Sequence, residues 1–333
     1  MKRRLTNKQT DRIQKTQDKE LIFSGPEQTG QIIAHYGQTL EVTPLQSEKN
    51  STPILCFAKQ NLGPLVTGDQ VVFRAISTEA QTSSENQFFI TARLPRTSLL
   101  QRPDIYKGHK PIAANIDQIF LVIAVSPAPI EHAIDRALVL AQAQNIPIKI
   151  ILNKTDLLKT ANAITLDFFK NLSQRYEKIG YEVIRTSAVI NNLDTLGQAI
   201  LEKTNIFVGQ SGVGKSSLIN SLFGDALAKT GEISEANQRG KHTTTTARLY
   251  KTPEGSALID APGIREFGVW DLTPDELLNG FIEFKPYLNQ CQFRNCSHQI
   301  NAQGCALHQA VSNNLISSER LNSYLRLLEK LQP

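Results

Sequence analysis

The chain has no long hydrophobic run. Its longest purely apolar stretch, Ile119 to Val125, spans seven residues, where a membrane helix needs roughly 18, so no membrane span is expected. No apolar segment follows the basic opening MKRRLTNKQTDRIQK, which argues against a secretory leader and for a cytoplasmic location. Internal repeats are lacking too, which excludes solenoid and propeller architectures. Cysteine is scarce, four in 333 residues, and 40% hydrophobic content is enough to bury a sizeable core without a disulfide framework. A large charge imbalance is also absent: 36 Lys and Arg against 31 Asp and Glu leave +5.

The charge that exists is unevenly placed. Residues 1–20 hold seven Lys or Arg against three acids. Such a polar, basic stretch is expected as a flexible arm over 1–27, either tracking nucleic-acid phosphates or simply solvated. Between 28 and 98 the β-rich runs QIIAHY, TLEV, PILCFA, DQVVFRA and QFFITARL alternate with turn signals. About five strands in that length suit a small barrel, oligonucleotide-binding (OB) or SH3-like, and periodicity does not separate the two. Cys56, inside PILCFA, reads as a buried inert thiol. Residues 99–114 show little periodicity and read as a basic linker. From 115 to 270 strands and helices alternate, the pattern of a parallel sheet covered by helices. Residues 271–333 are helical and carry three of the four cysteines. The expected class is therefore multidomain α/β.

Two motifs in the third segment stand in an unusual order. Gly209-Gln210-Ser211-Gly212-Val213-Gly214-Lys215-Ser216 matches G-x-x-x-x-G-K-[ST], follows the strand NIFVG and opens a helix that continues with Ser217. Backbone N–H groups at that helix N-terminus suit phosphate oxygens, Lys215 suits the terminal phosphates, and the Ser216 hydroxyl suits magnesium. Asn153-Lys154-Thr155-Asp156 lies 56 residues before this loop, at the end of the strand IKIIL. One carboxylate accepts both the N1 and N2 hydrogens of guanine, a donor pair adenine lacks, and Asp156 fits that role. Ser187-Ala188, at the end of YEVIRTSA, repeats that placement at a strand end. Guanine-recognition residues ahead of the phosphate loop imply a circular permutation, tolerated where chain termini lie at the surface and near each other.

Asp260-Ala-Pro-Gly263, after the strand SALI, fits a D-x-x-G element whose aspartate reaches magnesium through water and whose glycine senses the γ-phosphate. The next residue is Ile264, an aliphatic chain that cannot orient water. In RGKHTTTT, residues 239–246, Thr244 is the expected magnesium ligand, with neighbouring threonines as alternatives of register, and His242 is the candidate for positioning water. A solvent-facing loop histidine is the competing reading. Cys291-x4-Cys296-x-His298-x6-Cys305 offers the Cys₃His complement of a closed structural zinc site. His308 is the alternative to His298.

Together the N-terminal barrel, NKTD ahead of GQSGVGKS, the string GKHTTTTARLY, DAPGIREFG and the Cys₃His cluster resemble the ribosome small-subunit-dependent GTPase A family, also called RsgA or YjeQ. The resemblance covers almost the whole chain. It implies an OB-type barrel contacting ribosomal RNA, a permuted GTPase domain that hydrolyses GTP to GDP with magnesium, and a helical domain holding one structural zinc. It further implies binding to the small ribosomal subunit late in maturation, hydrolysis stimulated by that subunit, and a catalytic set of His242, Lys215 and Thr244. A monomer is expected. A zinc-stabilised RNA-binding protein with a non-hydrolysing nucleotide site is the alternative.

Overall fold

Alternation of inward and outward side chains organises the first part of the chain into β1 (Phe23–Tyr36), β2 (Thr39–Pro44), β3 (Ile54–Ala58), β4 (Gln70–Ile76) and β5 (Gln87–Arg93). These strands come from a computed structural model that describes residues 23–45, 52–58, 60–76, 87–104, 108–190, 192–224, 247–252, 254–261 and 272–331. Antiparallel pairs β1–β2, β2–β3, β4–β5 and β1–β4 and the parallel pair β3–β5 close a circuit in the order 1-2-3-5-4-1. The parallel pair, which a meander of antiparallel neighbours does not contain, makes this the OB-type barrel and removes the SH3-like alternative. Its interior is filled by Ile32, Leu40, Val42, Cys56, Leu65, Val71, Phe73 and Ile90. Burial pushes the Cys56 thiol up to about 12, so it stays protonated and unreactive. Residues 1–22 of the expected arm lie outside the described residues, while Phe23 and Ser24 already pair with Ile76 and Ala75. The β1–β4 register breaks between Ser24 and Gln28, around Pro26, which has no N–H to give the ladder.

The chain divides into two compact units, residues 1–65 with 69–95 and residues 66–68 with 96–333. In the second unit, the 99–114 stretch expected as a linker carries a hairpin of β6 (Leu99–Asp104) and β7 (Gly108–Ala114). A six-stranded sheet follows in the order β10-β9-β8-β11-β13-β12, built from β8 (Gln118–Ala124), β9 (Ile148–Asn153), β10 (Val183–Arg185), β11 (Thr204–Val208), β12 (Arg248–Lys251) and β13 (Ala257–Asp260). Only β12 runs antiparallel to its neighbour. All seven residues of β8 are buried, as a strand covered on both faces must be.

Helices α1 (Glu131–Ala143), α2 (Ala163–Ile179), α3 (Asp194–Ile200) and α4 (residues 215–224) accompany the sheet. Asn162 caps α2 by accepting from Thr165 N, and Gly180, at φ 107, ends it. One core gathers Phe120, Val122, Ile151, Leu196, Phe207, Leu218 and Phe223. The last part of the chain forms α5 (Pro274–Gly280), α6 (Ala306–Ser312) and α7 (Ser318–Glu329). Their core of Leu277, Phe281, Phe284, Leu307, Leu321, Tyr324, Leu325 and Leu328 includes Val139 of α1. The leucine-rich terminal helix thus docks onto its own unit.

A buried ion group ties these helices together. Arg320 of α7, 1% exposed, donates to Asp135 of α1 at 2.5 Å and to both carboxylate oxygens of Glu283 at 2.5 and 3.1 Å. The Tyr176 hydroxyl of α2 donates to the same Asp135 oxygen at 2.6 Å, and the Arg320 guanidinium lies 4.3 Å from the Phe281 ring centroid. Burial opposes the charge on Arg320, but the carboxylates of Asp135 and Glu283 outweigh it and hold the guanidinium pKa above its ordinary value.

Candidate functional site

The order reversal in the sheet sets the site. Strand β11 lies between β8 and β13, so the chain leaving β11 emerges at the carboxyl edge where β8 and β9 also end. In open α/β sheets a ligand crevice forms at such a switch point. Residues 209–214 turn there into the N-terminus of α4. Gly209, at φ 147, passes so close to β8 that a Cβ would run into the Val122 carbonyl, and a Cβ on Gly214, at φ 92, would run into the Asn153 amide. Both positions therefore require glycine.

That second approach is a joint between the two motifs. Asn153, 2% exposed at the end of β9, donates from Nδ2 to the Val213 carbonyl at 2.9 Å. Lys154, in the left-handed region at φ 60, places its ammonium between the carbonyls of Gly212 and Ser126, each at 2.7 Å. Asn153 and Lys154 are thus bonded directly to the 209–216 loop despite the inverted order of the two motifs. Thr155 bonds Thr186 O through both its N–H and its hydroxyl, at 3.1 and 2.9 Å. Asp156 accepts from the buried Ser187 hydroxyl at 2.5 Å, which aims the carboxylate, and Ala188 packs partly buried against the adjoining core.

Thr186 is a residue that sequence reasoning missed. Its hydroxyl, 1% exposed, donates to Asn153 Oδ1 at 3.1 Å, and its carbonyl takes both Thr155 bonds. The available signal was a threonine at the inner end of β10, beside the Ser187-Ala188 pair that the sequence did single out.

At the phosphate end, Lys215 Nζ donates to the carbonyls of Gly209 and Gln210 at 2.7 Å each, folding the lysine back over the loop. Ser216 and Ser217 are exposed in the first turn of α4, beside Ser211, Gly212 and half-buried Gln210. Asp260 ends β13, whose Ile259 is level with Ile206 of β11, so its carboxylate lies at the same sheet edge as the loop. An exposed hydroxyl and a carboxylate at one edge fit a magnesium ion next to bound phosphates. His242, Thr244, Gly263 and Ile264 lie outside the described residues.

The cysteine cluster is assembled. Ligand atoms of Cys291, Cys296, His298 and Cys305 all lie within 4.8 Å of one another, with His298 Nδ1 at 3.7 Å from the Cys291 sulfur and 3.4 Å from that of Cys305. A tetrahedral zinc with sulfur at about 2.3 Å separates its ligand atoms by a little under 4 Å. The donor set and its spacing therefore fit zinc. His308 is committed elsewhere: its Nε2 bonds the carbonyls of His298 and Gln299 at 3.2 and 2.9 Å, which decides for His298 as the imidazole of the cluster. The Ala306 N–H donates to the Cys291 sulfur at 3.3 Å. Phe293 and Arg294 are exposed beside it.

Comparison with known proteins gives one answer. Residues 93–270 match the family model described as RsgA GTPase. A protein of Hahella chejuensis named small ribosomal subunit biogenesis GTPase RsgA is 46% identical over 99% of this chain and 97% of its own length. A relative of the same name from Marinobacter nauticus is 43% identical over 99% and 96%. Among solved structures, YjeQ from Thermotoga maritima superposes with a TM-score of 0.71 at 28% identity, covering 92% of this chain and 100% of that one. YloQ, described as a circularly permuted GTPase, does so with a TM-score of 0.69 at 27% identity over 92% and 96%.

Proposed function

The chain belongs to the RsgA GTPase family, and from that membership we infer that it hydrolyses GTP to GDP in the maturation of the small ribosomal subunit. The observation that carries the reading is the bonding of Asn153 and Lys154 to Val213 and Gly212, which makes guanine recognition and phosphate binding one preorganised surface. A nucleotide whose base donates two N–H groups to Asp156 has its phosphates delivered to the N-terminus of α4.

Magnesium held by Ser216 and Thr244, with Asp260 acting through water, would neutralise charge on the transferring phosphoryl group. Lys215 exchanges its loop carbonyls for phosphate oxygens. Ile264 stands where a water-orienting glutamine is found in many GTPases, so His242 takes that task. Thr186 and Ser187 keep Asp156 aimed. Cys291, Cys296, His298 and Cys305 would hold a zinc that would supply cross-linking, not chemistry. The partner is the small subunit with its RNA, engaged by the barrel and stimulating turnover, and the enzyme acts as a cytoplasmic monomer.

GTP turnover measured with and without purified small subunits tests this. Stimulation by the subunit is expected, and the His242→Ala chain should bind GTP normally while losing turnover. An unchanged kcat in that variant would remove His242 from the mechanism. Absence of turnover under both conditions would favour the non-hydrolysing alternative.

A further inference from the structure

The barrel carries an apolar face that its own core does not use. Burial alternates along β3, with Cys56 inside and Leu55 and Phe57 outside, 58% and 36% exposed. Phe57 is level with Phe89 of the parallel neighbour β5, and their rings stack with centroids 5.6 Å apart and planes at 27°. The same row continues to Thr39 of β2 on one side and to Arg74 of β4 on the other. Side chains level with one another across a sheet share a face. A hydroxyl, two stacked rings and a guanidinium therefore stand in line across four strands, over roughly 14 Å. Exposed Tyr36 adjoins the row, its hydroxyl donating at 3.2 Å to Glu41, which is level with Leu55.

Charge on this side of the barrel has one sign. Strands β3, β4 and β5 contain Arg74 and Arg93 and no Asp or Glu. Glu41 is buried and held by Tyr36, so it does not oppose them at the surface. Arg74 pairs with exposed Glu27 at 3.9 Å; an ion pair of that kind is worth little, and a phosphate competes for the cation.

We propose that this face, centred on Phe57 and Phe89, is a stacking platform for the unpaired bases of single-stranded RNA. The proposal rests on the reading that the barrel engages RNA of the small subunit, and it deepens that reading by naming the face and the kind of RNA. In a duplex the base faces are already stacked on one another, whereas an unpaired base offers its face to an aromatic ring whatever its identity. The basic stretch 1–20 attracts the phosphates of either form. The exposed rings add a contact that only the single strand makes. A protein segment or a second copy would also cover apolar side chains, but cations without surface carboxylates favour a polyanion.

Fluorescence anisotropy on the full chain, with a labelled single-stranded oligoadenylate and an RNA duplex of equal length, tests the platform. Wild type should bind the single strand more tightly than the duplex. Phe57→Leu keeps an apolar contact with Phe89 but has no ring face; it should lose about tenfold for the single strand and stay within about twofold for the duplex. Phe57→Tyr should bind as wild type does. In Phe57→Trp the added emission, after subtraction of the one native Trp, should be quenched by the oligoadenylate, and this measurement decides if the Leu chain fails to fold. Equal affinity of wild type for both RNAs, a Phe57→Leu chain as tight as wild type, or unquenched emission overturns the proposal. Loss of subunit binding in Phe57→Leu with oligoadenylate binding unchanged places a protein of the subunit on the face, and a wild-type dimer dispersed by Phe57→Leu places a second copy there; either result overturns it. Wild-type turnover indifferent to small subunits overturns the functional reading instead, and the oligoadenylate measurement, which uses no subunit, then decides the platform alone.

Discussion

Arg320→Met is the sharpest test of how the C-terminal helices are held. The guanidinium is 1% exposed and bonds Asp135, itself 2% exposed, and both oxygens of Glu283. Removing one partner of a buried pair typically costs about 3–5 kcal/mol, because the stranded charge keeps its desolvation penalty. Asp135 would keep the Tyr176 hydroxyl, and Met fills most of the aliphatic volume, so the cavity contribution is small. Loss of the cation above Phe281 adds about 1 kcal/mol, which places the expected destabilisation at the upper end, near 5 kcal/mol. Urea unfolding followed by helical circular dichroism measures it. The effect should not vary through the neutral pH range: a folded-state pKa raised above the ordinary arginine value contributes stability that is complete below that value and lost only above it. Combining Arg320→Met with Asp135→Asn should return a substantial part of the loss, since no buried carboxylate then remains at that end. A loss below about 1 kcal/mol, the value of an exposed pair, or a double variant no more stable than the single one, would refute the reasoning.

Asp156→Ala should weaken GDP binding by about 2 kcal/mol, roughly thirtyfold, through loss of a charged acceptor for the guanine N–H groups; calorimetry reads this, and an affinity within twofold of wild type would contradict the assignment. Gly214→Ala should lower nucleotide affinity about tenfold or more, since its Cβ displaces the Asn153 amide from Val213; normal affinity would mean that this joint is dispensable. Zinc removal, or Cys296→Ser, should take metal content from one per chain to well below it and loosen the core around Leu307 and Tyr324, measurable by elemental analysis and thermal melting. Thr273→Ala should cost about 1 kcal/mol by removing the α5 capping box. Bonds from the Thr273 N–H and hydroxyl lower the Glu276 pKa, so the stabilisation is complete above the ordinary carboxylate value of 4.5 and fades as pH falls through the lowered native value. A Thr273 effect that persists unchanged in strong acid would contradict that linkage.

What the sequence made legible was local. The phosphate loop, Asn153 to Asp156, and the cysteine spacing are each set by chemistry acting within a few residues, and the structure brings the described members of each set together. The barrel type was not legible, because it depends on β3 finding β5 across an intervening strand. The hairpin β6–β7 escaped notice since Pro103 and Pro111 interrupt its pattern. Arg320 carries no local mark at all. Arg320 sits in a helix whose leucines are obvious, yet its partner Asp135 lies 185 positions earlier and reads there as one more polar helix residue.

That separation has a consequence for synthesis. Asp135 leaves the translating ribosome long before the cation that neutralises it, and at 5–20 residues per second Arg320 follows on the order of ten to forty seconds later. During that interval Asp135 lacks its cation, and the final turns of the chain complete a surface begun near its middle. The last helix therefore closes a core begun near the middle of the chain, and a chain shortened by that helix would leave Asp135 without its cation.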